Sequence, residues 1–236
     1  SQDNVNNEET INLVKKFIAS NQRKRRNLVN DIESAAESLY IVGEEIINNV
    51  DREGDDWCIG WVLQVLKKFK PNFFDKDIYN KWYYTKSGIN LNYDNLQLNL
   101  LKQNFEEADR LTSAYLRKLA GKVAENRGYV FYSEVKDMPD EDLDTIDRLW
   151  KIYSQGKFGF SNQAKILKSV GKRYDLLWPK IGWKKDGIWT RYPTSFCWSL
   201  KAPEGHMPLV NQLRGVRLMD SILRHPSIAN RHENCL

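Results

Sequence analysis

The sequence predicts an all-α protein in two helical parts, and three observations carry that prediction. Apolar residues recur at spacings of three and four through most of the chain, the period of one helix face. Glycine and proline punctuate these stretches at their ends. Strand-like runs are scarce: "YVFYS" (Tyr129 to Ser133) is apolar but short, and suits a cavity wall as well as a strand.

In chain order, "INLVKKFIAS", "NLVNDIESAAESLYIVGEEIINNV" and "WCIGWVLQVLKKF" each predict a helix, punctuated by Gly54 and Pro71. Successive helices with short breaks suggest a small bundle or solenoid-like layer over residues 1–88, without a clear repeat period. Around "YYTKSGINLNYDN" (Tyr83 to Asn95) the periodicity lapses and small polar residues gather, which places a domain boundary there and a second domain over residues 89–236. That domain opens with "FEEADRLTSAYLRKLAG". Ala108, Leu111, Tyr115, Leu116 and Leu119 make its apolar face, and Gly121 supplies the stop. In "DLDTIDRLWKIYSQG" the packing set is Leu143, Ile146, Leu149, Trp150 and Tyr153, with an end at Gly156. "SNQAKILKSVG" follows with Ser161 as expected N-cap, and then "RYDLLWPKIGW", expected to stop at Pro179.

Composition narrows the function. The mean hydropathy of -0.62 and the lack of a long apolar run predict a soluble protein without a transmembrane helix. "SQDNVNNEET" has neither a signal-peptide nor a transit-peptide pattern, so the chain is expected to stay where it is made. Cys58, Cys197 and Cys235 are distant and odd in number, which argues against a disulfide framework. A net charge of +5 attracts anions weakly and falls short of a nucleic-acid footprint. The one dense basic run, "QRKRR" (Gln22 to Arg26), reads as a solvated helix end or as a contact for an anionic partner or membrane surface.

Catalytic patterns fail one by one. "GFSNQ" resembles a nucleophile elbow, but Gln163 stands where that turn needs glycine. His206, His225 and His232 lack HExxH spacing or a cysteine partner, which argues against zinc. No phosphate-binding glycine pattern occurs. The carboxylates of "DMPDEDLDTID" (Asp137 to Asp147) are the best acid–base or metal candidates, yet Asp140 and Asp142 sit where the helix dipole favours acids. They are read as capping and solvation, with no catalytic residue and no metal site.

Binding chemistry is better represented. Trp183, Trp189, Tyr192, Phe196 and Trp198 crowd the Gly/Pro-rich stretch "IGWKKDGIWTRYPTSFCW". They either fold back as loop packing or wall a concave site for a flat apolar ligand. Asn211, Arg214 and Arg217, spaced by three, share a helix face. Two guanidiniums beside an aromatic wall suit a plate-like ligand with carboxylates at its edge; pairing with acids of another helix is the alternative. Burying roughly 400–600 Å² of ring surface would gain ~10–15 kcal/mol. Exposed ion pairs add only ~0–1 kcal/mol each. Stacking would thus set affinity, and the arginines orientation.

"LWKIYSQGKFGFSNQ", "LLWPKIGWKKDGIWTRYP", "APEGHMPLVNQLRGVR" and "ILRHP" resemble the genomes-uncoupled-4 family from about Tyr93 to Pro226. That resemblance implies a cupped-hand helical core over residues 89–236 that binds protoporphyrin IX and Mg-protoporphyrin IX, or in some members a linear bilin. It implies stimulation of magnesium chelatase in chlorophyll synthesis, by delivering porphyrin to the H subunit and activating it allosterically. Carried over by motif, the ring-contacting candidates are Trp189, Tyr192, Phe196 and Trp198. Arg214 and Arg217 are the polar ones, with Asn211 and Val123 beside them. Phe158 and Phe160 match the family's "FGFS", where Gly159 lets the chain turn closely. Two departures stand out: Asn162 where members often carry an apolar residue, and Tyr192 where they often carry tryptophan. The implied protein is a non-enzymatic monomer requiring no cofactor, with peripheral membrane association left open. It would sit in a plastid stroma or a cyanobacterial cytoplasm. A bilin- or heme-binding sensor using the same pocket is the alternative, and a ligand-free interaction scaffold a third reading.

Overall fold

The computed structural model describes residues 2–35, 51–69, 82–210 and 216–233. The all-α expectation holds: among these residues the regular strands are the two-residue pieces of one hairpin. Part of the second predicted helix, Pro71, Asn211, Arg214 and Cys235 lie outside the described residues.

Helices α1 (Gln2–Ala19) and α2 (Gln22–Ser34) are separated by Ser20 and Asn21, and Asn21 Oδ1 caps α2 by accepting the Lys24 N–H at 3.0 Å. The "QRKRR" run is therefore the first turn of α2. Its Arg25 is no free surface charge: it donates to the Phe17 and Ile18 carbonyls at the end of α1 and to both Asp56 oxygens. Helix α3 (Trp57–Phe69) is apolar nearly all round, which marks a core helix. Trp57, Ile59, Val62, Leu63 and Leu66 are buried between α1 and α2 on one side and two later helices on the other.

Those helices are α4 (Asp94–Leu101) and α7 (Asp140–Ile152), with α5 (Phe105–Ala120) and α6 (Lys122–Arg127) between them in the chain. A 3-10 turn, Tyr132–Asp137, leads into α7, so "YVFYS" forms no strand. Gly60 lets α3 approach α7: a Cβ there would lie 2.3 Å from the Ile152 carbonyl oxygen. Phe105 stacks on Trp150 at 6.2 Å, and Phe158 meets both rings edge-on, filling the centre of the core.

Buried polar side chains join these pieces. Gln64 of α3 donates to the Leu100 and Tyr153 carbonyls at 3.1 and 2.8 Å. Gln97 of α4 pairs with both backbone groups of Tyr83 and accepts the Tyr153 hydroxyl. Asp142, fully buried, accepts from Ser87 Oγ, the Gly88 N–H and the Tyr93 hydroxyl. The acid expected to solvate a helix start instead ties the 82–93 segment to α7.

Helices α8 (Phe160–Ser169), α9 (Tyr174–Lys180), α10 (Val216–Arg224) and α11 (Pro226–Glu233) complete the molecule. Two boundary expectations are corrected. Helix α8 begins before Ser161, at a Gly159 cap with φ 112°, and the Ser161 N–H is capped from α7 by Asp147 Oδ1 at 2.9 Å. A buried carboxylate is a stronger acceptor than a local hydroxyl. Pro179 lies inside the last turn of α9 rather than stopping it, because so short a helix loses only one backbone bond there. Helix α7 ends at Ile152, and Gly156 closes the following turn through its N–H to the Lys151 carbonyl.

Candidate functional site

Helix α5 builds one wall of a large concave feature. Phe105, Thr112, Leu116 and Leu119 form its buried stripe, and Asp109 sits in that same stripe, 1% exposed. Ser113, Arg110 and Arg117 flank it toward solvent. The facing wall comes from "KKDGIW". Asp186 and Gly187 take positive φ values of 51° and 78°, the demand of a tight two-residue turn. The turn pairs β1 (Lys184–Lys185) with β2 (Ile188–Trp189) and so presents Trp189.

Between these walls lies a cavity of about 720 Å³, within the size range of small-molecule sites. Leu116, Val130, Leu209, Val210 and Leu218 make it apolar, and Tyr129, Trp189 and Tyr192 add rings. Arg110, Arg117 and Arg191 supply positive charge. Arg110 is engaged by Glu107 of its own helix at 2.6 and 2.8 Å. Among the described residues, Arg117 and Arg191 show no side-chain ion pair or hydrogen bond.

Not every residue singled out from the sequence reaches this cavity. Trp189 and Tyr192 line it and are about half-exposed, at 45% and 50%. Trp189 leans on Trp178, which stacks on the buried Trp183 with ring centroids 5.5 Å apart. Phe196 and Trp198 stand behind Tyr192, meeting its ring edge-on at 5.8 and 6.0 Å, and do not line the cavity. Phe196 is buried against His206, and Trp198 donates its indole N–H to the Pro193 carbonyl at 2.9 Å. Val123 projects from α6, 73% exposed and outside the cavity lining. Arg217 lies over the Tyr132 ring at 5.4 Å, and its neighbour Leu218 takes the lining position. Asn211 and Arg214 fall in the segment outside the described residues.

Electrostatics single out a residue not proposed from the sequence. Burial pushes the Asp109 carboxyl up to about 7, against the lowering effect of its two hydrogen bonds. Its partners are the Leu209 N–H at 2.7 Å and the Tyr192 hydroxyl at 3.3 Å. Burial and the neighbouring Asp109 in turn raise the Tyr192 phenol to about 12, so it stays a neutral donor. The signal for Asp109 was an acid inside the apolar stripe of α5, and for the hairpin the Asp-Gly pair at 186–187. Among the described residues no group of three His, Cys, Asp or Glu side chains is placed to hold a metal ion, and no helix is long and apolar enough to cross a membrane.

A "Ycf53-like protein" of the cyanobacterium Synechocystis is 40% identical over 190 residues, covering 79% of this chain and 82% of the relative. The "Tetrapyrrole-binding protein, chloroplastic" of Arabidopsis thaliana is 40% identical over 60% of this chain and 57% of its own length. Among solved structures, GUN4 from Chlamydomonas reinhardtii superposes with a TM-score of 0.60 at 35% identity, covering 64% of this chain and 96% of that one. Ligand-free Arabidopsis GUN4 does so with 0.55 at 41%, covering 58% and 98%. The family described as GUN4-like matches residues 86–226, a span that holds all of α4 to α10 and the whole cavity lining, and the chain belongs to that family.

Proposed function

We propose that the chain is a porphyrin-binding regulator of magnesium chelatase, with residues 1–88 as a helical platform and 89–236 as the binding core. It takes up protoporphyrin IX or Mg-protoporphyrin IX, passes it to the H subunit and activates that subunit allosterically, without catalysing a reaction of its own. The carrying observation is the 720 Å³ apolar cavity with ring walls and two uncommitted guanidiniums. A macrocyclic plate would lie between Trp189 and Tyr192 on one side and α5 on the other, with Arg117 and Arg191 meeting its carboxylates. Arg214, Arg217, Asn211, Val123, Phe196 and Trp198 remain ligand-binding candidates on the strength of the family resemblance. Phe196 and Trp198 would act by bracing Tyr192. The plastid and cyanobacterial origins of the relatives support action in a plastid stroma or a cyanobacterial cytoplasm.

The donor set leaves a heme or bilin sensor as the alternative. The side-chain donors lining the cavity offer oxygen and guanidinium nitrogen, with no histidine, cysteine or methionine among the described residues there. Oxygen donors suit magnesium, and the phenol oxygens of Tyr129 and Tyr192 in the same lining are also a ligand type that holds heme iron, so titration rather than the donor set separates the readings.

Titration with Mg-protoporphyrin, heme and phycocyanobilin, followed by tryptophan quenching, tests the proposal. Saturable quenching by Mg-protoporphyrin at micromolar concentration or below is expected. Trp189→Ala should weaken it roughly tenfold, the loss of one stacking ring. Unchanged emission and an unshifted porphyrin band would reject porphyrin binding. Tighter binding of heme or bilin would favour the sensor.

A further inference from the structure

The two loops that frame the cavity, Arg191 to Trp198 and His206 to Val210, both meet α5 at Asp109. Its Oδ1 accepts the Leu209 N–H at 2.7 Å and its Oδ2 the Tyr192 hydroxyl at 3.3 Å. We propose that Asp109 is a positioning residue that clamps both loops to α5 and admits ligand by releasing the Tyr192 arm while holding Leu209. The inference rests on reading this cavity as the tetrapyrrole site.

The two bonds are unequal. The first is at the short end of N–H···O distances, and the second is longer than an ordinary O–H···O bond. The residues bearing them differ in the same sense: Leu209 is 7% exposed, whereas Tyr192 is 50% exposed. Behind Tyr192 the Phe196 and Trp198 rings touch only edge-on, and Phe196 stays buried against His206. The tyrosine side chain can therefore swing outward without unpacking the core. Once it swings, Oδ2 of a buried acid faces the cavity without a partner, a costly state that draws the arm back when the cavity is empty.

The clamp is poised to respond to protons. Among the described residues, Glu106 and Arg110 on α5, the Tyr192 phenol on the loop, and Tyr129, Arg117 and Arg191 on the cavity walls are the charged or titratable groups around Asp109; Leu209 and Val210 bring none. Burial, aided by Glu106, holds the carboxyl near 7. Ionised, it grips the hydroxyl through a charge-assisted bond and repels the carboxylates of an incoming porphyrin. Protonated, it does neither. Both effects slow entry as pH rises.

Two measurements decide the matter. In stopped-flow mixing with Mg-protoporphyrin from pH 6 to 8.5, the wild-type association rate should fall roughly fivefold. Asp109→Asn should show a flat profile, and Tyr192→Phe, altering a half-exposed residue, should bind faster than wild type at pH 8.5. A parallel profile for Asp109→Asn, or an unaltered rate for Tyr192→Phe, would overturn the gating role. In the ligand-free protein, hydrogen exchange of the Leu209 amide should accelerate roughly tenfold or more in Asp109→Ala and stay unchanged in Tyr192→Phe. Equal exchange in wild type and Asp109→Ala would overturn the clamp. A wild-type protein that binds no porphyrin defeats the binding proposal, while the amide exchange still judges the clamp.

Discussion

The seam where α3, α4 and α7 meet and the rim of the cavity treat polar groups in opposite ways. In the seam, Gln97 answers both backbone groups of Tyr83 and the Tyr153 hydroxyl, and Asp142 answers three donors, all inside the protein. At the rim, Arg117 and Arg191 show no such partners among the described residues, and Trp189 and Tyr192 leave about half their surface in water. Saturated polar groups fix one chain geometry, because any rearrangement strands a buried donor or acceptor. Unsaturated ones leave bonding capacity for something else. The contrast supports the proposed site on the rim, and it is one of degree, since Gln64 Oε1 and the Trp57 and Trp61 indole N–H groups of α3 are buried without a partner among the described residues.

The hardest test of that contrast is Asp142→Ala. It strands the Ser87 hydroxyl, the Gly88 N–H and the Tyr93 hydroxyl together, and should lower unfolding free energy by about 5 kcal/mol. Urea denaturation measures it. A loss below about 1 kcal/mol would mean that the seam is no more committed than the rim.

Asp109 sharpens the comparison, since it stands on the rim but is buried like a seam residue. Its folded-state carboxyl sits near 7, above the unfolded value of 3.8, so the native state holds the proton more tightly. Its contribution to stability is fully present below about pH 4 and is lost as pH rises through 7, by up to about 4 kcal/mol. Comparing denaturation of wild type and Asp109→Asn from pH 4 to 8.5 isolates that fall from the other carboxylates. Superimposable pH profiles would show that Asp109 titrates normally.

How much of this could be seen beforehand differs between the two regions for a physical reason. Helix α3 is legible because apolar residues surround it, and α5 because Ala108, Leu111, Tyr115, Leu116 and Leu119 keep helical spacing. The aromatic crowding of residues 183–198 also marks the site region, since rings in a Gly/Pro-rich connection need something to pack on. Which ring faces the cavity is not written in spacing. Phe196 and Trp198 turn away because His206, in the following loop, and the nearby Pro193 carbonyl offer them partners that side-chain spacing does not announce. Local rules likewise give Ser161 the cap, whereas a carboxylate from another helix takes it. Asp109 was visible as an acid in an apolar stripe, but its donors arrive from 83 and 100 residues away.

The smallest expected effect lies where the two regions touch. In the basic run at the start of α2, two adjacent arginines have different fates. Arg25 is enclosed by the end of α1 and grips Asp56 with two bonds, its side chain 12% exposed. Arg26 reaches across to Glu204, in the turn just before His206, at 2.9 Å, with side chains 42% and 54% exposed. Water and salt screen the second pair, and ordering two long side chains cancels most of its attraction, so Arg26→Ala should cost at most about 0.5 kcal/mol. Arg25→Ala should cost about 2–3 kcal/mol, because it uncaps the α1 carbonyls and leaves Asp56 without its partner. The same two variants read the coupling of α2 to the cavity. If Arg26→Ala also changes the porphyrin association rate, the Glu204 turn transmits motion from α2 to the loop that carries Leu209. If stability and rate both stay put, the bridge is a surface contact, and the loop is held by Asp109, Gln163 and the Gly159 N–H without help from α2.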